Sequence, residues 1–146
     1  MPLVEFHTGH AEPLAYACRL LGKAWRRRAR VLVCAAPEVV AALDRELWTF
    51  DDRDFVPHGL VDALDADTLG RTPHWLAAEA ALASLPAGAP ATWVRLPGAG
   101  EGALPGGFER LIEVVGSAPE EASAARRRWR AYVAAGHDMK HVGPAS

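Results

Sequence analysis

Cysteine is nearly absent from this chain of 146 residues: Cys18 and Cys34 stand alone, far outside C-x-x-C spacing. That excludes a disulfide framework and a paired-thiolate zinc site, and both read as small buried hydrophobes. Long apolar runs are missing too, since none approaches the roughly 20 residues that a membrane span needs. The opening Met1-Pro2-Leu3-Val4-Glu5 carries no basic leader ahead of an apolar stretch, so no export signal is expected and the reading is a cytoplasmic domain. Nor does one sign of charge dominate. Sixteen Lys and Arg face 18 Asp and Glu, for a net charge of −2. That balance argues against a general duplex-DNA or polyanion binder, while a local basic patch stays compatible with it.

Catalytic signatures are equally scarce. No Ser or Cys sits in a nucleophile elbow, and Asp51, Asp52 and Asp54, with Arg53 among them, read as a solvated acidic loop. Gly98-Ala99-Gly100-Glu101-Gly102 follows a strand and invites a nucleotide-loop reading. A phosphate cradle needs a helix N-terminus directly after the glycines, whereas Ala103-Leu104-Pro105-Gly106-Gly107 intervenes. His7 and His10, and His137 and His141, are pairs without a third ligand at a useful spacing. No cofactor and no metal are expected.

What is present is ample apolar content, 50% of residues, with 23% charged, enough for one domain spanning 1–146 to bury a core. Leu3 to His7 reads as a strand. Pro13 opens a helix in which Leu14, Ala17, Cys18, Leu21 and Trp25 recur at helical spacing. The helix ends in Lys23, Arg26, Arg27 and Arg28, where cations suit the macrodipole. Arg30 to Ala35 is a continuous apolar run, the mark of a strand buried on both faces. Pro37 opens a second helix with Val39, Val40, Leu43 and Leu47 inward, and an acidic irregular stretch runs to Arg71. His74 to Ala78 reads as a strand, with a helix running to Leu85 as the competing reading, and Ala91 to Leu96 as another. Phe108 to Leu111 is expected to turn as a short helix before a strand over Ile112 to Val115. Ser117-Ala118-Pro119-Glu120 resembles a capping box opening a last helix that Gly136 ends, with 136–146 as a frayed tail. Alternating strands and helices imply an α/β fold: one three-layer α/β/α domain, Rossmann-like, with a mostly parallel sheet flanked by helices.

Two segments carry more than fold. In Arg126-Arg127-Arg128-Trp129-Arg130-Ala131-Tyr132-Val133, helical spacing puts Ala122, Ala125, Trp129, Tyr132 and Val133 on one arc facing the domain. Arg126 and Arg130 lie one turn apart at its edge, and Arg127 and Arg128 point elsewhere. Guanidinium forks beside an aromatic wall suit a carboxylate attached to an apolar group, and a solvated basic face suits the residues equally. The second segment, Leu47-Trp48 with Phe55-Val56-Pro57, holds more apolar side chain than a solvated loop needs. It is either a partner surface or a loop folded back as core.

Together these segments resemble the chi subunit family of bacterial DNA polymerase III holoenzyme. Leu47-Trp48, a spacer and Phe55-Val56-Pro57-His58 are similar to that family's signature. So is the ending Arg128-Trp129-Arg130-Ala131-Tyr132-Val133-Ala134-Ala135-Gly136. The resemblance implies a non-catalytic adaptor in the clamp-loader assembly. It implies that the acidic C-terminal tail of single-stranded DNA-binding protein meets Arg126, Trp129 and Arg130, with Val115 in the apolar wall. It also implies that Phe55, with Trp48, Val56 and Pro57 around it, faces a psi subunit or another partner such as a helicase. Two departures stand out: Ala122 replaces a lysine expected one turn before Arg126, and Trp129 replaces a tyrosine. The competing readings are an α/β nucleotide-binding enzyme using Gly98–Gly102, and a direct single-strand binder stacking bases on Trp129.

Overall fold

Val31-Leu32-Val33-Cys34-Ala35 is buried along its whole length because its strand lies inside a sheet covered on both faces. Val31, Val33 and Ala35 join one core cluster, and Leu32 and Cys34 the other, as the two-residue period of a strand requires. The computed structural model describes residues 2–49, 56–98, 102–104 and 106–143. In chain order the elements are β1 (Leu3–His10), α1 (Pro13–Arg26), β2 (Val31–Ala35), α2 (Pro37–Thr49), β3 (His58–Leu60) and α3 (Ala66–Gly70). They continue with β4 (His74–Ala78), a 3₁₀ turn (Glu79–Ser84), β5 (Thr92–Arg95), β6 (Arg110–Gly116), α4 (Pro119–Ala134) and β7 (Asp138–Val142). The strands form one seven-stranded sheet in the order β3-β4-β2-β5-β6-β1-β7, and every pairing is parallel. This is the α/β sandwich expected from the sequence. Cys18 and Cys34 are free and buried within it, and burial raises both thiol pKa values, that of Cys18 to about 11.

α1 and α2 cover one face through Ala17, Cys18, Leu21, Leu43 and Leu47. α4, α3 and the 3₁₀ turn cover the other through Tyr132, Ala125, Leu69 and Leu82. Fully buried leucines such as Leu21, Leu43 and Leu69 each contribute about 1.5–3 kcal/mol. Among the described residues no helix is long and apolar enough to cross a membrane.

Four expectations need correction. The tail expected to fray over 136–146 is ordered at Asp138–Val142, which forms β7 paired in register with β1 from Leu3↔Asp138 to His7↔Val142. Its mostly exposed, irregular pattern at the sheet edge leaves little apolar signal to read. No helix forms at Phe108–Leu111; Phe108 packs on Trp93, and Arg110 and Leu111 already belong to β6. Ser117 caps nothing, because the N-cap is Ala118 with no side-chain hydrogen bond, and Pro119 supplies the start. Finally, the irregular stretch to Arg71 contains β3 and α3, the latter capped by Asp65, whose carboxylate accepts from the Thr68 N–H at 2.8 Å.

Candidate functional site

β1 and β6 end side by side, and between His7↔Val114 and His10↔Gly116 the register slips. Thr8 and Gly9 oppose Val115 alone, a β-bulge that Gly9 permits by taking φ +81°. The bulge bends the end of β1 and opens a cavity of about 590 Å³ beneath α4. Phe6, Val115 and Gly116 form its floor, Ala122, Ala125, Arg126 and Trp129 its helical wall, and His141 of β7 its rim. The His141 Nε2 and Thr8 Oγ1 lie 2.7 Å apart in a hydrogen bond that ties the rim to the bulge. Ligands of open α/β sheets gather at this carboxyl end of the strands.

Trp129 meets Phe6 edge to face, centroids 5.3 Å apart, and Phe6 meets Tyr132 in the same manner at 6.0 Å. Arg126 is exposed at the mouth and makes no ion pair or side-chain hydrogen bond with any described residue. Among the described residues the lining contains no carboxylate. An apolar slot with a guanidinium at its mouth can hold a hydrophobic group whose attached acid stays near water. The structure therefore brings Val115, Arg126 and Trp129 together. Arg130 is exposed one turn further along α4, outside the lining.

α4 sits rotated from the arc that spacing suggested. Its buried residues are Ala125, Arg128 and Tyr132, while Val133 is 52% exposed. The cause is Glu113, buried on β6 between Ile112 and Val114. Its Oε1 lies 3.3 Å from Arg128 Nε, within ion-pair reach though out of line for a hydrogen bond. Its Oε2 accepts from the Tyr132 hydroxyl at 2.6 Å and from Arg95 Nη1 at 3.2 Å. Arg95 also donates to Glu79 at 2.7 Å and to the Gly102 carbonyl at 2.6 Å, and the Tyr132 oxygen accepts from the Leu104 N–H at 2.9 Å. Two cations thus balance two carboxylates. Burial disfavours the Arg95 charge, but Glu113 and Glu79 outweigh it and raise its pKa. Burial, then Glu113, pushes the Tyr132 phenol up and keeps it a donor.

This network was not foreseen, and Arg128 points inward rather than away. A visible signal existed: Arg95 and Glu113 are opposite charges set beside apolar residues in their strands and stand in register across β5 and β6. Gly102, part of the glycine segment, serves here as a carbonyl under Arg95, while Ala99, Gly100, Glu101 and Pro105 lie outside the described residues. His7 bonds Glu5 at 3.0 Å and also the Tyr16 hydroxyl, and His10 stacks on Tyr16 with centroids 3.6 Å apart. Against burial, Arg110 and His7 hold the Glu5 carboxyl below its usual range.

The aromatic segment divides. Trp48 is 62% exposed at the end of α2, with its ring 5.5 Å from that of His58. Pro57 is half-buried, and Val56 packs in the core at 6% exposure. His58 lies between the Val56 carbonyl at 2.8 Å and Asp44 at 3.0 Å, which fixes the chain as it enters β3. Phe55, Asp51, Asp52, Arg53 and Asp54 lie outside the described residues.

The molecule is a Rossmann-like α/β sandwich with an apolar groove under its last helix. Comparison with known proteins makes that specific. The family model described as DNA polymerase III chi subunit, HolC, matches residues 1–140. The DNA polymerase III subunit chi of Pseudomonas aeruginosa is 32% identical over 147 residues, covering 96% of this chain and 95% of that one. The chain belongs to the DNA polymerase III chi subunit family, and is an accessory subunit of that replicative complex.

Proposed function

We propose that the chain is a non-catalytic adaptor whose α4 groove holds the acidic C-terminal tail of single-stranded DNA-binding protein and links it to the clamp loader. The observation that supports this most is the groove's chemistry: Phe6, Val115 and Trp129 surround an apolar slot, and Arg126 stands at its mouth without an ion-pair partner among the described residues. A tail ending in an aromatic residue places its ring in the slot and its carboxylates toward Arg126, with Arg130 attracting the acidic residues upstream. Trp129 supplies part of the wall. A psi subunit, or another partner such as a helicase, would occupy the opposite side of the molecule. There Trp48 and Pro57 present area, Val56 supports them from the core, and Phe55 adjoins them in sequence.

Fluorescence polarisation with a labelled acidic peptide ending in phenylalanine tests the groove. Because Arg126 is exposed, Arg126→Ala should weaken binding about 3- to 10-fold, a charge-assisted bond discounted for solvent. Trp129→Ala should weaken it more, and removing the terminal phenylalanine should abolish it. Equal affinity for the shortened peptide would overturn the reading.

A further inference from the structure

α1 returns to the opposite end of the sheet from the groove, where the strands begin, and ends in a basic segment. Lys23, Arg27 and Arg30 wall a cleft of about 320 Å³ there, joined by Arg110 at the start of β6, over a floor that includes Val94 and Ile112. Among the described residues this lining contains no carboxylate. Arg110 is engaged through Nε by buried Glu5, whereas the side chains of Lys23, Arg27 and Arg30 pair with no acid among the described residues. A neighbouring hollow shares Arg30 and adds Arg71 beside Trp25, which extends the basic belt.

A second, independent observation concerns Arg28. α1 closes with Ala29 N–H donating to the Ala24 carbonyl and Arg28 N–H to that of Trp25, each at 2.9 Å. This termination puts the residue at position 28 in the left-handed region, φ 58°, where glycine is at ease and a side chain is strained. Arginine stands there instead, its guanidinium 4.2 Å over the Trp25 ring. Arg28 thus adds a cation next in sequence to Arg27, over a ring that borders the neighbouring hollow.

We propose that this cleft binds the backbone of single-stranded nucleic acid, with phosphates on Lys23, Arg27 and Arg30, further attraction from Arg28 beside them in the chain, and a base against the apolar floor. A rigid duplex would meet only the rim. An acidic peptide supplies charge but no flat apolar group beside each anion, and guanidinium forks match phosphate oxygens. With a net charge of −2 on the whole chain, the attraction is local to this end. None of these residues lines the α4 groove, so the site stands or falls apart from the tail reading.

The test is fluorescence anisotropy of a short labelled oligothymidylate with the full chain, from low to moderate salt. Saturable binding should weaken with a log–log slope of about 0.7 per phosphate engaged. Arg27→Glu with Arg30→Glu should weaken it at least ~10-fold, a change of charge at two phosphate contacts. Arg28→Gly should weaken it while leaving the melting temperature equal or higher, which separates charge from folding. Arg126→Ala should leave it unchanged. No saturation at low salt, equal affinity in the cleft variants, or a loss that follows Arg126→Ala or Trp129→Ala would overturn the proposal. So would a polyglutamate peptide that binds the cleft as tightly as the oligonucleotide.

Discussion

Tyr132→Phe removes one oxygen from the centre of the protein and tests how the α4 groove is held. Tyr132 is 1% exposed, so its hydroxyl has no access to replacement water. It donates to Glu113 at 2.6 Å and accepts from the Leu104 N–H at 2.9 Å. Losing a hydrogen bond to a charged acceptor costs about 1.5–3 kcal/mol, and stranding a buried N–H costs about 1–3 kcal/mol. Phenylalanine is easier to desolvate than tyrosine, which offsets part of both losses, so a net destabilisation of about 2–4 kcal/mol is expected. At ~2–4 °C per kcal/mol for a chain of this size, the melting temperature should fall by roughly 5–15 °C. Urea denaturation at pH 7 measures the first quantity and calorimetry the second. Hydrogen exchange supplies the mechanism, since the Leu104 amide should lose protection ahead of the β2 amides. A loss below about 1 kcal/mol with Leu104 still protected would refute the network as the anchor of α4.

Gly9→Ala places a side chain at φ +81°, and should cost about 1–2 kcal/mol and weaken tail-peptide binding, measured by calorimetry and polarisation together. His74 has its pKa lowered by burial, partly opposed by its bond to the Ala29 carbonyl at 3.1 Å, and its Nδ1 has no partner. Unfolding raises that pKa to about 6.5, so this stability is complete above 6.5 and is lost as pH falls toward the folded value. Urea titrations at pH 7.5 and 5.5 should show a decline in the parent chain that is smaller in His74→Gln. Trp48→Ala, at a 62% exposed site, should change stability by less than about 0.5 kcal/mol while weakening capture of a clamp-loader partner in a pull-down.

The sequence disclosed elements wherever burial is two-sided or periodic. β2 is apolar throughout because both faces are covered, and α1 and α2 announce themselves through Leu21, Leu43 and Leu47. β7 was hidden for the converse reason: one edge strand with mixed exposure leaves no period to detect. Of the groove, Arg126 and Trp129 were legible from helical spacing, and Val115 from the family resemblance. Phe6, Thr8, Gly9 and His141 were not, because they reach the site only through a parallel pairing of β1 with both β6 and β7. Arg128 was misplaced because helical geometry alone ranks residues by apolarity. Only the in-register Glu113 on another strand makes an inward arginine favourable.

That arginine explains why the groove stays open. Arg128 and Tyr132 tie α4 to β6 through one carboxylate, and Arg95 ties the same carboxylate to Glu79 and to the Gly102 carbonyl. Replacing such a cluster with apolar residues of equal volume is often neutral or stabilising, so stability alone does not account for it. Its geometric effect is specific. By drawing Arg128 inward it rotates the helix, carrying Trp129 to the groove wall and Arg126 to the mouth rather than letting Val133 turn into the core. A tail that meets this arrangement finds the slot and its guanidinium already placed, so less binding energy is spent on ordering. A variant that exchanges Arg95, Glu113 and Arg128 for apolar residues should therefore stay folded yet bind the tail peptide more weakly. Unchanged affinity in that folded variant would show that the buried charges do not set the groove.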